Sequence, residues 1–339
     1  MKPVADSREL DCSRRDFMKS LFLGGMGVLS SFPVCCRNRA DSSEAAAFIA
    51  KAQAYEGPLG DVFLRGLKEI GVTEREIRGK RILLKPNLVE PHIGTAPINT
   101  HPLVVQALSE TLSRLGASLI TVGEGAGHQR DCYRMLEESG YADVLLSERI
   151  PFVDLNTAAV ASVPNKGRRS KIGLYLIPRM VLGVDLIVSV AKMKTHHWAG
   201  VTLSMKNMFG VMPGVFYGWP KNVLHYAGIH ESILDINATI RPHLAVVDGI
   251  VGMEGDGPIM GNAIKTGVLV VGRNLPAVDA TCARIMGINP EKIPYLKEAS
   301  NWLGPVAENL IAQRGEAISA VRKDFLLLDK IPAHRDIRL

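Results

Sequence analysis

The chain has 339 residues, of which 47% are hydrophobic, and a formal net charge of +6. Its first 40 residues carry seven Lys or Arg against four Asp or Glu, so the remainder has a net charge of +3. That remainder holds no basic block, and a nucleic-acid-binding surface is therefore not expected. The length is enough for one large or two small domains with a hydrophobic core.

The N-terminal segment resembles a twin-arginine export signal. Residues 13–19 read Ser-Arg-Arg-Asp-Phe-Met-Lys, with Arg14 and Arg15 as the pair, and the apolar run Leu21–Val34 follows. This run is shorter than the ~20 residues that span a bilayer, so no stable transmembrane span is expected. The sequence predicts that residues 1–44 are a signal peptide and tether, and that the Tat translocase exports the folded chain to the periplasm.

Outside the predicted signal only Cys132 and Cys282 remain, and two cysteines are too few for an iron–sulfur cluster or a disulfide framework. Cys35 or Cys36 could carry a lipid anchor, but Pro33-Val34 is a poor approach to a lipidated cysteine, and we favour cleavage of the signal. The other two, Cys132 and Cys282, are compatible with one disulfide bridge or with two buried thiols.

Residues 45–339 read as one α/β domain with its core at about 55–295. Residues 40–56 are expected to be a tether that leads into a first helix. Strands are predicted at Arg81–Leu88, Ser118–Val122, Phe152–Leu155, Leu174–Ile177, Val184–Val190, Leu244–Val247 and Val268–Val271. Helices are predicted at Pro102–Leu115, Tyr133–Ser139, Ser232–Ile240 and Val278–Met286. This alternation predicts an open, mostly parallel sheet with helices on both faces, and it allows two lobes around a cleft.

Polar residues recur just after the predicted strands, where open α/β sheets bind their ligands. They fall into four groups, at 85–101, 124–131, 192–210 and 248–257. The first includes Lys85, Asn87, His92 and His101. The second includes His128 and Arg130.

The third group carries the strongest functional signal, because two lysines and two histidines follow one buried strand within six residues. Imidazoles bind metals or transfer protons near neutral pH, and lysines neutralise carboxylates or phosphates. The alternative is a solvated loop whose histidines bond to backbone; the whole run favours a ligand cleft. Its polar residues, with one histidine further on, are Lys192, Lys194, His196, His197, Lys206, Asn207 and His225.

The remaining two groups leave their interpretation open. Gly123–Gly127 could be an anion-binding turn at a helix start or merely a tight strand-to-helix turn. In the fourth group, Asp248, Glu254 and Asp256 could bind a hard cation or be solvated carboxylates of a flexible turn. Asp279 is expected to accept hydrogen bonds from backbone N–H groups at a helix N-terminus.

Together, Lys85-Pro86-Asn87, Thr100-His101-Pro102, Gly123-Glu124-Gly125, Lys192–Asn207 and Asp248–Gly257 resemble an uncharacterised family, the domain of unknown function 362. The likeness covers roughly residues 55–295. Some members of that family carry an added ferredoxin-like segment, which this sequence lacks, so no iron–sulfur cluster is expected.

The order of motifs is also similar to that of the lactate racemase family, which uses a nickel pincer cofactor. The resemblance implies that His128 and either His196 or His197 transfer protons. It also implies that Lys206 holds the cofactor and that His225 ligates the metal. Ser204-Met205 stands where that family has a glycine pair.

The sequence therefore favours a His- and Lys-lined cleft that binds a metal or metal cofactor and transfers a proton on a small anionic, carboxylate-bearing substrate. Two alternatives stay open: a non-catalytic periplasmic protein that binds an anion or metal, and a cofactor assembly factor. The expected cofactor-binding residues are Lys85, Asn87, Lys192, Lys194, Lys206 and Asn207.

Overall fold

The computed structural model describes residues 45–91, 97–128 and 131–339. The predicted export signal, Cys35, Cys36, His92 and Arg130 lie outside the described residues. Eleven strands occur in the described part: β1 Ala46–Lys51, β2 Arg81–Pro86, β3 Leu119–Glu124, β4 Phe152–Asp154, β5 Val160–Pro164, β6 Leu174–Pro178, β7 Leu186–His196, β8 Gly200–Thr202, β9 Leu244–Glu254, β10 Asn262–Gly272 and β11 Ala312–Gly315.

Thirteen α-helices occur between or after these strands in the described part of the chain. They are α1 Leu59–Glu69, α2 Glu74–Ile77, α3 Pro102–Arg114, α4 Cys132–Glu138, α5 Tyr141–Ser147, α6 Arg179–Gly183, α7 Ser204–Asn207, α8 Gly214–Tyr217, α9 Asn222–Tyr226, α10 Ile229–Ile240, α11 Leu275–Ile285, α12 Pro294–Ala299 and α13 Ile318–Val321. The helical predictions near residues 102–115, 133–139, 232–240 and 278–286 are confirmed within a few residues.

Nine of the strands within the described ranges form one mixed sheet in the order β11-β1-β10-β9-β7-β2-β3-β4, and β8 pairs with β7. The run from β9 to β4 is parallel throughout. Strands β1 and β9 pair antiparallel with β10. The prediction of an open, mostly parallel sheet is therefore confirmed.

Side chains alternate between the two faces of the sheet, and each face has its own core. In β2, Ile82 and Leu84 pack on the side of α1 and α3. Leu83 packs on the opposite side, with residues of α10 and α11. Successive side chains of a strand point to opposite faces of the sheet. Because both faces are buried here, the sequence of β2 is apolar at consecutive positions. Helices lie on both faces, as predicted.

The first helix, α1, follows at Leu59 as expected, but the expected tether at residues 40–56 is wrong where the structure describes it, because Ala46–Lys51 is a strand. It pairs with β10 on one side and with β11 on the other. Alanine has the highest intrinsic helix propensity, but the two rows of interstrand hydrogen bonds override that preference here. Phe48 and Ile49 are fully buried between the neighbouring elements.

Strands β7 and β9 run further than predicted, and so does β10, which begins at Asn262. Strand β7 continues to His196, and β9 continues to Glu254, so Lys192, Lys194, His196 and Asp248 lie within strands instead of beyond their ends. The continuation is paired on both sides: β7 contacts β9 at one edge and turns back as a hairpin with β8 at the other. Buried polar side chains with satisfied hydrogen bonds are compatible with a strand interior.

The two cysteines that follow the predicted signal are free and buried. Cys132 belongs to the core on the α1 side of the sheet and Cys282 to the core on the other side. Because the sheet lies between them, the chain contains two buried thiols here and no bridge joins them.

Candidate functional site: a lysine-rich cavity at the strand ends

A cavity of about 280 Å³ opens where β2, β3 and β7 end. These strands are parallel, so their carboxyl ends meet at one edge of the sheet. The cavity brings together most of the predicted site residues. Its polar and aromatic lining includes Lys85, Asn87, Glu124, His128, Lys194, His196, His197, Trp198, Thr202, Lys206, Asn207, Phe209, Lys221 and His225.

A buried ion pair lies at the base of the cavity. The Lys85 Nζ donates to Glu124 Oε2 at 2.7 Å and to Asn207 Oδ1 at 3.0 Å. The side chains of Lys85 and Glu124 are 0% and 2% exposed. Burial lowers the pKa of Lys85, and the Glu124 carboxylate opposes that effect. Asn207 in turn donates from Nδ2 to the Lys85 carbonyl at 2.9 Å, so these side chains fix one another.

Glycines allow the loop after α7 to approach this ion pair. A Cβ on Gly210 would lie 2.1 Å from Glu124 Oε1 and 2.6 Å from Lys85 Nζ. The Gly125 N–H donates to the Gly210 carbonyl at 2.9 Å and to Glu124 Oε1 at 2.8 Å. This amide of the glycine-rich turn therefore has protein acceptors, and at Gly125 the turn serves close packing instead of cradling an anion.

Three further lysines line the cavity without a carboxylate partner in the described part of the chain. Lys194 Nζ donates to the carbonyls of Ile98 at 2.7 Å and Pro258 at 3.2 Å. Lys221 Nζ donates to Asn156 Oδ1. The Lys206 ammonium lies 3.8 Å from the centre of the Phe209 ring. The cavity is consequently rich in amines that no carboxylate of the described residues neutralises.

Burial and mutual repulsion set the protonation of these lysines. Burial, with a contribution from Lys85, lowers the pKa of Lys206 to about 7. Burial also lowers the pKa of Lys221 to about 7. For Lys194, burial and the neighbouring ammonium groups lower the pKa well below its ordinary value. An anionic ligand would favour the charged form of all three.

Two of the lining histidines face carboxylates. His128 Nδ1 is 3.3 Å from Glu90 Oε1, and His197 Nδ1 is 4.0 Å from Asp256 Oδ1. The Glu90 carboxylate favours a proton on His128 Nδ1 and leaves Nε2 to accept another, whereas Asp256 is near His197 but beyond hydrogen-bond distance. Both side chains are partly exposed, at 44% and 35%. This arrangement suits proton exchange with a ligand.

His196 and His225 have different tautomers. His196 Nδ1 accepts hydrogen bonds from the N–H groups of Trp198 at 3.0 Å and Ala199 at 3.2 Å, so its Nε2 carries the proton. Burial and the charge of Lys206 hold its pKa well below the ordinary value. His225 Nδ1 lies 3.1 Å from the Lys221 carbonyl, to which it donates, so its Nε2 lone pair is available.

Two buried polar atoms in the cavity wall lack a hydrogen-bond partner among the described residues. They are Asn87 Oδ1 and Thr202 Oγ1. A buried acceptor or hydroxyl without a partner costs about 1–3 kcal/mol, so such atoms call for an explanation. A ligand that donates a hydrogen bond would satisfy Asn87.

The remaining predicted residues lie elsewhere. Lys192 Nζ pairs with Asp248 at 2.8 Å and donates to the Tyr55 hydroxyl at 2.9 Å. Asp248 also accepts from the His101 N–H at 3.1 Å. Glu254 accepts from the backbone of Leu326 at 2.8 Å. Lys192 and Asp248 therefore form an internal bridge between β7 and β9.

The predicted cation site at Asp248, Glu254 and Asp256 is thus not assembled. Asp256 lies near His197 and 4.0 Å from Lys330, whereas Asp248 is buried in its own ion pair. In the described ranges, no group of three His, Cys, Asp or Glu side chains is placed to hold a metal ion. Asp248 and Glu254 are six residues apart on one extended strand, about 20 Å along it, and Asp256 lies beyond the end of that strand.

The sequence pattern did not single out Glu124 or Lys221 as site residues. Glu124 is the last residue of β3, next to a glycine. Its position at a strand end was the one sequence feature that could have indicated a role in the site. Lys221 has a left-handed backbone, with φ of 68°, in a segment with no helical or strand periodicity. A non-glycine residue in this region costs roughly 1–2 kcal/mol, and such strain clusters at functional sites.

Asp279 holds the helix that carries Lys206. It accepts from the N–H groups of Ser204 at 2.8 Å and Met205 at 3.0 Å, which begin α7. Asp279 accepts from helix N-terminal amides as expected, but they are the amides of α7. The helix that contains Asp279, α11, is capped by Asn274 instead. Burial raises the pKa of Asp279 to about 7.

Fold and cavity together define an α/β protein with a basic pocket at the carboxyl edge of a mostly parallel sheet. The family model described as domain of unknown function (DUF362) matches residues 82–284, and the chain belongs to this family. A thylakoid-associated protein of Synechocystis sp. is 25% identical over 279 residues, which are 80% of each chain.

Two solved structures are similar in part. A lactate racemase apoprotein from Thermoanaerobacterium thermosaccharolyticum has a TM-score of 0.39 and 15% identity over 73% of this chain. A structural genomics target from Thermotoga maritima has a TM-score of 0.38 and 14% identity over 69% of this chain. The matches span 58% and 59% of those two proteins. Within the described residues, the helices are too short or too polar to cross a bilayer.

Proposed function

We propose that the cavity binds a small carboxylate-bearing anion and that His128 and His197 exchange a proton with it. The excess of lysine over carboxylate in the cavity wall carries this proposal. Glu124 neutralises Lys85, whereas Lys194, Lys206 and Lys221 have no carboxylate partner among the described residues. Desolvated positive charges of this kind are stabilised by a bound anion.

The ligand's polar groups have matching partners in the cavity. Its carboxylate would lie among the lysines, and a hydroxyl would donate to Asn87 Oδ1, which has no donor within the described chain. His128 has the Glu90 carboxylate 3.3 Å from Nδ1 and His197 has the Asp256 carboxylate 4.0 Å from Nδ1, and each partly exposed ring would serve as an acid or a base through Nε2. His196 is assigned a donor role, because its Nε2 carries the proton.

Two measurements test this function. Isothermal titration calorimetry with lactate and malate measures binding, and NMR in D2O measures exchange of the hydrogen on the carbon next to the carboxylate. His128→Ala and His197→Ala should reduce exchange by about 10²-fold or more while affinity changes little. Binding with no exchange in the wild-type protein would favour the non-catalytic alternative, and the absence of both would refute the proposal.

A metal-cofactor enzyme is the second candidate, and the tautomer of His225 favours it. Metal-bound histidines usually donate their other ring N–H to a carbonyl or carboxylate, as His225 does to Lys221. His225 would ligate the metal, and Lys206 would hold the organic part of the cofactor. The metal would supply a Lewis acid beside the substrate. Elemental analysis and native mass spectrometry of the exported protein test this: a bound metal with an organic group is expected, and its absence refutes the candidate.

We propose that this function is performed outside the cytoplasm, after folded export through the twin-arginine pathway. The pattern at residues 13–19 supports this location, and the cyanobacterial relative is associated with thylakoids. The test is export of the full chain from its own cells. Replacing Arg14 and Arg15 with lysine should retain the protein in the cytoplasm, and unchanged export would contradict the proposal.

A further inference from the structure

Four lysines line the cavity, but only one of them has an amine free of protein acceptors in the described part of the chain. Lys85 donates to Glu124, to Asn207 and to the Pro86 carbonyl. Lys194 donates to two carbonyls, and Lys221 donates to an amide oxygen. These three are therefore held as hydrogen-bond donors.

Lys206 differs from the other three. Its amine has no hydrogen-bond or ion-pair partner among the described residues, and its neighbour is the face of Phe209 at 3.8 Å. An amine becomes a nucleophile when it loses its proton and keeps its lone pair available. The face of an aromatic ring stabilises a cationic nitrogen, and a protonated imine is cationic as the ammonium is. The absence of an acceptor in the described chain leaves the lone pair of the neutral amine available before the bond forms, and the ring stabilises the protonated imine afterwards.

We propose that Lys206 forms an imine with the carbonyl carbon of a small 2-oxo acid bound in this cavity. The inference rests on the proposed function, since the carboxylate of the 2-oxo acid must bind among the same lysines. A 2-oxo acid places its electrophilic carbon next to the carboxylate, which suits a cavity of about 280 Å³. Lys194 and Lys221 retain N–H groups that can bind the carboxylate.

The reaction balances without a further reagent. The Lys206 lone pair attacks the carbonyl carbon, a C–N bond forms, and the C=O pair moves to oxygen, which takes up a proton. The nitrogen then loses a proton, which gives the carbinolamine. The hydroxyl takes up a second proton, the nitrogen lone pair forms the C=N bond as the C–O bond breaks, and the oxygen leaves as water. Loss of the remaining N–H proton from the protonated imine gives the neutral imine. His128 and His197 supply and remove the protons. Neither oxidation nor reduction occurs, and the product is the imine and one water.

Burial and the charge of Lys85 support the step at neutral pH, because they lower the pKa of Lys206 to about 7. A substantial fraction of the amine is then unprotonated. The rate of imine formation should rise through pH 7 and level off above it, whereas an exposed lysine would need a pH near 10.

Reductive trapping tests the inference. The full-length protein is incubated with pyruvate, oxaloacetate or 2-oxoglutarate and sodium cyanoborohydride, and the modified peptide is identified by mass spectrometry. We expect Lys206 to gain the mass of the 2-oxo acid less one oxygen atom. Lys206→Arg keeps the charge but removes the free lone pair, so it should abolish trapping while carboxylate binding persists. Lys297→Arg, at an exposed position of α12, is the matched control and should leave trapping unchanged.

Calorimetry on the same samples separates the possible failures. Binding of the 2-oxo acids without an adduct at Lys206 overturns the imine and leaves the proposed function standing. Adducts spread over exposed lysines at equal yield also overturn it. No binding of any carboxylate overturns both proposals. A covalent group already present on Lys206 in the purified protein overturns the imine in favour of the cofactor role.

Discussion

Replacing Glu124 with alanine should destabilise the protein strongly, because its carboxylate neutralises a buried cation. The side chains of Lys85 and Glu124 are 0% and 2% exposed, and Nζ and Oε2 are 2.7 Å apart. The same carboxylate oxygen accepts the Leu88 N–H at 2.8 Å. Removing one partner of a buried ion pair costs about 3–5 kcal/mol, since the other charge is left uncompensated. Lys85 would relieve part of this cost by losing its proton.

Urea unfolding, followed by tryptophan fluorescence, measures the change in the free energy of unfolding. Thermal unfolding is a second measurement. At roughly 2 °C per kcal/mol for a domain of this size, the expected cost should lower the melting temperature by about 6–10 °C. Glu316→Ala breaks an exposed ion pair with Lys51 and is the matched control, with an expected cost below about 1 kcal/mol. The double variant Lys85→Met/Glu124→Leu should regain much of the loss. A cost below about 1 kcal/mol for Glu124→Ala would refute the argument.

Three further predictions concern the cavity and its support. Gly210→Ala should cost roughly 1–3 kcal/mol by urea unfolding, because the new Cβ would lie 2.1 Å from Glu124 Oε1; a neutral effect would contradict the close approach. Anion binding should take up protons near pH 7, since Lys206 and Lys221 have pKa values of about 7 when the ligand is absent; calorimetry in buffers of different ionisation enthalpy should show this, and a buffer-independent enthalpy would exclude it. Burial raises the pKa of Asp279 to about 7 from an ordinary value of 3.8. The folded state therefore binds the extra proton, and stability should fall as pH rises from about 4 to 7; in Asp279→Asn this part of the pH dependence of urea unfolding should disappear, and its persistence would assign it to another group.

The fold was predictable from the sequence where burial dictates the pattern. Strands such as β2 and β3 are apolar on both faces, and they end in polar residues that collect at one edge of the parallel sheet. The sequence could not show that β7 continues to His196, because its outer half carries lysines that are satisfied by partners distant in the chain. Lys192, for example, pairs with Asp248 on the neighbouring strand.

The candidate site was predictable in part for the same reason. Residues near strand ends, such as Lys85, His128 and Lys206, meet in the cavity as their positions indicated. Lys221 enters from an irregular segment, where no periodicity marks which side chains face inward. The partner of Asp248 was also not predictable. An acidic glycine-rich stretch has the same sequence pattern whether its carboxylates bind a metal ion or a buried lysine such as Lys192.

Strand β7 ties the cavity to the most protected part of the molecule. It runs over Leu186–His196, about 35 Å, through the centre of the sheet, and its last residues form the cavity wall. Backbone amides in the middle of β7, such as those of Val188 and Val190, can therefore exchange with solvent only when β2 and β9 separate from β7, which requires global unfolding. The wall is preorganised: a ligand meets lysine and histidine side chains already held at their final positions, and most of the ordering entropy has been lost on folding.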